Sequence, residues 1–200
     1  MKKIAFLGAK GGVGKTTSAM LTAAALQALG QTVTVLDTDP QGSAQTWAAY
    51  VEETGMPLKF PVTQAGSDFT EREVNSEWVI VDTPPGSQQV IDAALKWADL
   101  VILPTRPGAL DMLQLTPVLR DASRLGTPAA VLLTQTRAGV KETIDVEDAL
   151  REEGITLLTP QIPLRARTSR LAMVHPSARD LIASGYQDVA DELKEAFSDE

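Results

Sequence analysis

One stretch of the sequence decides the fold: Ile4-Ala5-Phe6-Leu7-Gly8-Ala9-Lys10-Gly11-Gly12-Val13-Gly14-Lys15-Thr16-Thr17. It starts as a short apolar run, continues as a glycine-rich loop and ends where a helical pattern over residues 15–29 begins. Glycines allow the backbone N–H groups of such a loop to point at a chain of phosphates, and the following helix adds its positive N-terminal end. The stretch therefore predicts a phosphate-binding loop between a strand and a helix.

The same loop predicts how a nucleotide and its metal are held. Lys15 can reach the β- and γ-phosphates and the Thr16 hydroxyl can coordinate Mg²⁺, so ATP and Mg²⁺ are the expected cofactors. The usual pattern has a glycine where this sequence has Ala9, and here a second lysine, Lys10, precedes the double glycine. The nucleotide contacts predicted within the loop are Gly11, Gly12, Val13, Gly14, Lys15, Thr16 and Thr17.

Acidic segments follow two later apolar runs. Asp82 stands after residues 78–81, where it is expected to hold Mg²⁺ directly or through water, with the amide of Gly86 near the γ-phosphate. Asp37 and Asp39 follow residues 33–36, where a carboxylate can orient the attacking water. A capped turn is the alternative interpretation for each acid, and it applies more strongly to Asp37 than to Asp39.

Short apolar runs alternate with longer amphipathic segments along the chain. This alternation predicts an α/β fold in one domain over residues 1–200, a doubly wound and mostly parallel sheet with helices on both faces. A short edge strand is expected at residues 58–62. The predicted strands are 4–7, 33–36, 78–81, 100–103, 129–133 and 155–158, and the predicted helices are 15–29, 43–53, 89–97, 110–125, 141–153 and 177–197.

Composition narrows the classes of function. The absence of cysteine excludes disulfides, thiolate metal sites and iron–sulfur clusters, and the single histidine, His175, cannot build a multi-histidine metal site. The formal net charge of −8 argues against a surface devoted to nucleic acid, although it leaves room for a local basic patch. No apolar run reaches the length of a signal-peptide core or a membrane span, so we expect a cytoplasmic protein that does not bind membranes.

Three motifs, in this order and at these spacings, resemble the ParA/MinD family of deviant Walker ATPases. They are Lys10-Gly-Gly-Val-Gly-Lys-Thr-Thr, Asp37-Thr-Asp-Pro-Gln-Gly and Asp82-Thr-Pro-Pro-Gly. The resemblance covers nearly the whole chain and is greatest to small plasmid-partition proteins of the ParA type, such as ParF. It implies a P-loop ATPase fold and a homodimer that forms on ATP binding, with filaments as an open alternative.

The resemblance also implies a role for each matching residue. Lys10 corresponds to the signature lysine that reaches the partner's nucleotide, Lys15 to the phosphate-loop lysine and Asp39 to the acid that positions water, so these three are the expected catalytic residues. Thr16 and Asp82 are the expected Mg²⁺ ligands.

The family holds adenine in the region that corresponds to residues 161–165. This correspondence places Pro163 and Arg165 near the base. Leu164-Arg165 stands here where many relatives have Arg-Asn, so the contacts with the base remain open.

Two functions remain open at this point. The first is a DNA-segregation ATPase on the nucleoid, slow by itself and stimulated by a centromere-binding partner of the ParB type and by non-specific DNA. The second is a metabolic ligase of the same fold, similar to dethiobiotin synthetase, for which the sequence offers no separate substrate constellation. The acidic segment 188–200 argues against the lipid-binding helix of MinD-like proteins.

DNA binding by an acidic chain requires a local cluster of basic side chains. Four arginines within fifteen residues form one, and the alternatives are a solvated face or a contact with nucleotide. These candidates are Arg165, Arg167, Arg170 and Arg179.

Overall fold

A seven-stranded parallel sheet forms the centre of the molecule. The computed structural model describes residues 1–164 and 171–198. Its strands are β1 Lys2–Phe6, β2 Val33–Asp37, β3 Val62–Gln64, β4 Trp78–Asp82, β5 Leu100–Thr105, β6 Ala129–Thr136 and β7 Ile162–Pro163. They lie in the order β3-β2-β4-β1-β5-β6-β7, and each pairing is parallel. The carboxyl ends of all these strands therefore meet at one edge of the sheet.

Helices cover both faces of the sheet. They are α1 Lys15–Ala28, α2 Ser43–Glu53, α3 Gln88–Trp97, α4 Ala109–Leu113, α5 Leu115–Leu125, α6 Lys141–Glu152, α7 Ala178–Ser184 and α8 Tyr186–Ala196, with a short 3₁₀ turn at Phe69–Glu71. The doubly wound α/β fold predicted from the alternation of strands and helices is confirmed.

Alternation along the strands divides the core into two halves. Ile4 and Phe6 of β1 face the half that contains α1, α2, α7 and α8, whereas Ala5 and the following Leu7 face the half built by α3, α5 and α6. All four side chains have no exposed surface. Because β1 is buried on both faces and paired on both edges, it gives the phosphate-binding loop a rigid base.

Several boundaries differ from the prediction. Residues 155–158 form only an isolated bridge, between Val131 and Leu157, because Pro160 has no N–H with which to continue a ladder, and the last strand is β7 instead. The edge strand lies at Val62–Gln64 rather than 58–62, since it can start only after Pro61.

Two predicted helices are divided. The segment 110–125 contains α4 and α5, which meet at Gln114. The segment 177–197 contains α7 and α8, which meet at Gly185, whose φ of 87° lies in the left-handed region and ends α7. A continuous helical pattern in the sequence does not reveal a break of this kind when both helices bury the same face.

Candidate functional site

The loop between β1 and α1 has the conformation that a phosphate-binding loop needs. Gly12 and Gly14 have φ angles of 78° and 95°, which side-chain-bearing residues rarely adopt. A Cβ atom on Gly8 would lie 3.4 Å from Cδ of Lys15, so the loop packs closely over the lysine stem. The positive φ angles explain why glycine stands at positions 12 and 14.

Lys15 lies at the centre of the loop. Its side chain is buried, and its Nζ donates a 2.9 Å hydrogen bond to the carbonyl oxygen of Lys10. Burial lowers the pKa of Lys15, while the charges of Asp82 and Asp39 act in the opposite direction. A buried ammonium with no hydrogen-bonded carboxylate among the described residues would gain from an anionic ligand, as a phosphate chain is.

Asp82 ends β4 and has no exposed surface. Neither of its carboxylate oxygens has a hydrogen-bond partner among the described residues. Burial is the main cause that raises the pKa of Asp82, to about 7, and the charges of Asp37 and Asp39 act in the same direction. The nearby Thr16 hydroxyl and the charge of Lys15 act in the opposite direction. Buried polar atoms are normally paired, so a carboxylate in these surroundings fits the ligand of a cation.

The surroundings of Asp82 fit a magnesium ion. Mg²⁺ prefers oxygen ligands and commonly takes one or two from protein, leaving the others to water and phosphate. Thr16 and Asp82 offer a hydroxyl and a carboxylate near each other. The described residues contain no group of three or more His, Cys, Asp or Glu side chains that could hold a metal by themselves. A metal at this site would therefore depend on bound phosphate.

The two acids at the carboxyl end of β2, Asp37 and Asp39, have different surroundings. Asp37 has no exposed surface, and it accepts backbone hydrogen bonds from Asp39 (3.1 Å), Ala44 (2.9 Å) and Gln45 (3.0 Å). It thus caps the N-terminus of α2, so the capped-turn interpretation describes Asp37. Asp39 is partly exposed, and within the described part of the chain its carboxylate accepts one hydrogen bond, a local one of 2.9 Å from the N–H of Gln41.

Gly86 lies beside the phosphate-binding loop. Its φ is 68°, and a Cβ atom there would lie 3.4 Å from the carbonyl oxygen of Ala9. The loop after β4 therefore meets the loop after β1, and the contact between the Gly86 amide and a γ-phosphate stays a prediction.

Lys10 points to the outer side of the loop. Its Nζ lies 3.0 Å from Oδ1 of Asp111 in α4, and its side chain is 38% exposed. The two lysines of one loop thus have different surroundings: Lys15 faces inward to the strand ends, and Lys10 faces the rim.

A cleft of about 250 Å³ adjoins the loop where the sequence places adenine. Thr17 of α1 and Pro163 of β7 both line it, next to Tyr186, whose hydroxyl shares a 2.9 Å hydrogen bond with Ser18. Its mainly apolar walls suit the face of a base. The described residues that line it are Val13, Gly14, Thr17, Thr134, Gln135, Ile162, Pro163, Leu164, Ala172 and Tyr186.

Supporting residues outside the motifs hold these loops together. Thr134 of β6 donates hydrogen bonds from its hydroxyl to the carbonyls of Val13 (2.9 Å) and Thr105 (3.1 Å), and Gln135 donates one to Gly12 (3.0 Å). Sequence reasoning missed both residues. The available signal was a run of polar residues at the carboxyl end of an apolar strand.

The proposed DNA-binding arginines divide into two groups. Arg165, Arg167 and Arg170 lie outside the described residues, so the structure does not place them. Arg179 is exposed on the first turn of α7. Among the described residues, no helix is long and apolar enough to cross a membrane.

Residues 4–176 match the model of the CobQ/CobB/MinD/ParA nucleotide-binding domain family. The chain belongs to this family. Among curated relatives, it is 39% identical over 159 residues to the maintenance of carboxysome distribution protein A of Gloeobacter kilaueensis, covering 76% of this chain and 72% of the relative. It is 31% identical over 185 residues to ParA of Rhizobium radiobacter, covering 86% and 82%. Within the ParA/MinD family the chain is close to ParA.

Solved structures agree on the fold. A plasmid partition protein of Borrelia burgdorferi B31 bound to AMPPNP superposes with a TM-score of 0.78 at 18% identity, covering 97% of this chain and 99% of that one. A cobyrinic acid a,c-diamide synthase of Mycobacterium smegmatis with a bound ATP analogue and magnesium gives 0.75 at 19% identity, covering 99% and 96%. At these identities the likeness shows the fold alone, and the fold is shared by a partition protein and a synthase.

Proposed function

We propose that the chain is an ATP-dependent DNA-segregation ATPase that works as a slow nucleotide switch. ATP and Mg²⁺ would bind at the phosphate loop, and two protomers would associate with the nucleotides between them. A ParB-type partner and non-specific DNA would stimulate hydrolysis. The names of its relatives, which refer to ParA, plasmid partition and carboxysome distribution, support a role in positioning cargo.

The observation that carries this proposal is the opposite orientation of two lysines on one loop. Lys15 is 7% exposed and lies among the groups that would surround the nucleotide of its own protomer. Lys10 lies on the rim, where a second triphosphate could reach it. Two triphosphates that face each other repel strongly in a site with little water, and a lysine donated across the interface would offset that repulsion.

The chemistry assigned to the site residues follows from their positions. Lys15 would neutralise charge on the β- and γ-phosphates. Thr16 and Asp82 would hold Mg²⁺, which would supply further positive charge against the phosphates. Asp39, partly exposed at the same strand edge, would orient the attacking water. Val13, Thr17 and Pro163 would contact the base and sugar from the adjoining cleft.

The proposal can be tested by sedimentation of the purified protein with ATP, with ADP and without nucleotide. Dimers are expected with ATP only. Lys10→Ala should bind ATP as the parent does and remain a monomer, whereas Lys96→Ala, an exposed change on α3, should dimerise normally. A Lys10→Ala protein that dimerises like the parent would remove this lysine from the interface.

Hydrolysis by the isolated protein separates the switch from a metabolic ligase. A switch should turn over ATP very slowly alone and faster with duplex DNA and its partner. A ligase should respond to a small-molecule substrate and not to DNA. DNA-independent turnover that depends on a small molecule would favour the ligase.

A further inference from the structure

Lys10 takes part in the contacts of both lysines of the phosphate loop, through its backbone carbonyl and through its own side chain. Its carbonyl oxygen accepts the 2.9 Å hydrogen bond from Lys15 Nζ, while its own Nζ binds Oδ1 of Asp111 at 3.0 Å. Asp111 lies 101 positions away in the sequence, on the short helix α4 that follows β5. Neither lysine is therefore free in the protomer: one is held within the loop and the other is held against α4.

A second cation shares the same carboxylate oxygen. Arg106 Nη2 lies 3.1 Å from Oδ1 of Asp111, the oxygen that Lys10 also binds. The Asp111 side chain is only 11% exposed, while those of Lys10 and Arg106 are 38% and 35% exposed. The anion is thus buried beneath two cations that remain accessible.

Asp111 is held in an ionised state. Burial by itself would raise its pKa, but the hydrogen bonds and charges of Arg106 and Lys10 outweigh it, and the pKa lies below its usual value. The loop before α4 also fits closely, since a Cβ atom on Gly108 would lie 3.3 Å from Oδ2 of Asp111. The Asp111 carboxylate is therefore held in one position, and its ion pair holds Lys10 next to it.

We propose that Asp111 is a positioning residue that holds Lys10 within its own protomer and releases it to the partner's nucleotide when the dimer forms. The proposal rests on the proposed function, because it concerns the lysine that would cross the interface. Arg106 makes the release possible. When Lys10 leaves, Asp111 keeps one cation, so no buried carboxylate is left unpaired.

The ion pair should oppose dimerisation to a measurable extent. A partly exposed pair of this kind changes an equilibrium by about threefold. Each protomer contributes one pair, so the need to break both pairs on dimerisation should make the parent dimer about tenfold weaker than one without them. Without the carboxylate, Arg106 would repel Lys10, which would then turn outward toward the partner.

The test is Asp111→Asn, which keeps the shape of the side chain and removes its charge. Sedimentation equilibrium with ATP should show a dimer dissociation constant about tenfold lower than that of the parent, with no dimer in ADP. The matched control is Asp121→Asn, which removes a carboxylate paired with Arg124 on the neighbouring helix α5 and should leave the dissociation constant unchanged. An unchanged or weaker Asp111→Asn dimer would overturn the proposal.

A second measurement reads the ion pair directly in the monomer. A double-mutant cycle of Lys10→Ala and Asp111→Asn on unfolding without nucleotide should give a coupling of about threefold in the unfolding constant. A coupling of zero would overturn the proposal. Should Asp111→Asn fail to fold, Asp111→Ser, which also removes the carboxylate, should tighten the dimer in the same direction, and no change would count against the proposal. If the parent itself does not dimerise with ATP, the proposed function fails, while the monomer cycle still tests the ion pair.

Discussion

Thr38 donates two hydrogen bonds to the carbonyl oxygen of Asp82, one from its backbone N–H at 2.9 Å and one from its hydroxyl at 2.8 Å. Thr38 precedes Asp39, so the proposed water-orienting acid and the proposed Mg²⁺ ligand are joined through adjacent backbone. These bonds hold together the two backbone segments that carry the carboxylates. The backbone positions of both acids are therefore set before any nucleotide arrives.

Replacement of Lys15 tests the phosphate loop. Lys15→Ala removes a charge that the backbone amides cannot replace, and ATP affinity should fall by about 100-fold or more. Because burial disfavours the ammonium, the unfolding temperature without nucleotide should not fall. Nucleotide titration and circular dichroism check the two outcomes. With Lys96→Ala as the control, equal ATP affinity in both variants would disprove the assignment.

Replacement of Asp39 separates binding from hydrolysis. Asp39→Ala should bind ATP about as tightly as the parent, because this acid acts on water, and its dimers should persist because turnover falls by about 100-fold or more. Single-turnover hydrolysis and sedimentation measure the two effects. The exposed Asp68→Ala provides the control. Turnover at the parent's rate would exclude Asp39 from the chemistry.

The pH dependence of stability tests Asp82. Its pKa is about 7 in the folded protein and about 4 in the unfolded chain, so between these values the folded state binds more protons. Without ligand, ionisation of this carboxylate should therefore lower the free energy of unfolding as the pH rises from about 4 to 7. Above about pH 7 its effect on the free energy of unfolding should be constant.

Asp82→Asn should remove that penalty. The variant should exceed the parent's free energy of unfolding at pH 8 by on the order of 1–3 kcal/mol, and the difference should narrow toward pH 5. Mg²⁺ should no longer raise the stability of its nucleotide complex. Chemical denaturation at both pH values is the measurement, and a variant that is less stable than the parent at pH 8 would contradict this account of Asp82.

The arginine cluster should bind DNA through phosphate contacts. We expect sequence-independent binding to duplex DNA with ATP and weak binding with ADP, because dimerisation doubles the cluster. Log affinity should fall with log salt by about 0.9 per contact. Arg167→Glu should weaken binding equally on all sequences and flatten that slope, while hydrolysis without DNA persists.

Filter binding at several salt concentrations measures this effect, and ATP titration of the same variant shows whether Arg167 contacts nucleotide instead. The control is Arg120→Glu, the same charge reversal on an exposed site of α5. If Arg167→Glu and Arg120→Glu bind DNA like the parent, residues 165–179 are not the DNA surface.

The fold and the residues at the centre of the candidate site could be predicted from the sequence, because both predictions depend on local patterns. Short apolar runs predict buried strands, and Lys15, Thr16 and Asp82 follow such runs at the edge where parallel strands end. The ion pair between Lys10 and Asp111 could not be predicted, since a separation of 101 positions leaves no local signal for a contact.

The sequence favoured a capped turn for Asp37 more than for Asp39, but it did not show which groups Asp37 binds. Asp37 and Asp39 are chemically identical, and only the direction of each side chain shows that Asp37 caps α2. The break at Gly185 was missed for a related reason, since glycine is tolerated inside helical patterns as well as at their ends.

The place of β1 in the sheet has a consequence for how the chain folds. The two strands that pair with β1 are Trp78–Asp82 and Leu100–Thr105. During synthesis β1 therefore cannot pair until these later residues have been made. Contacts of such sequence separation form slowly, because a large loop has to close before they add any stability. The phosphate-binding loop has no rigid base until both neighbours are in place. A growing chain should therefore bind nucleotide only after both neighbouring strands have paired with β1. A nascent fragment that ends before residue 78 should have no affinity for ATP.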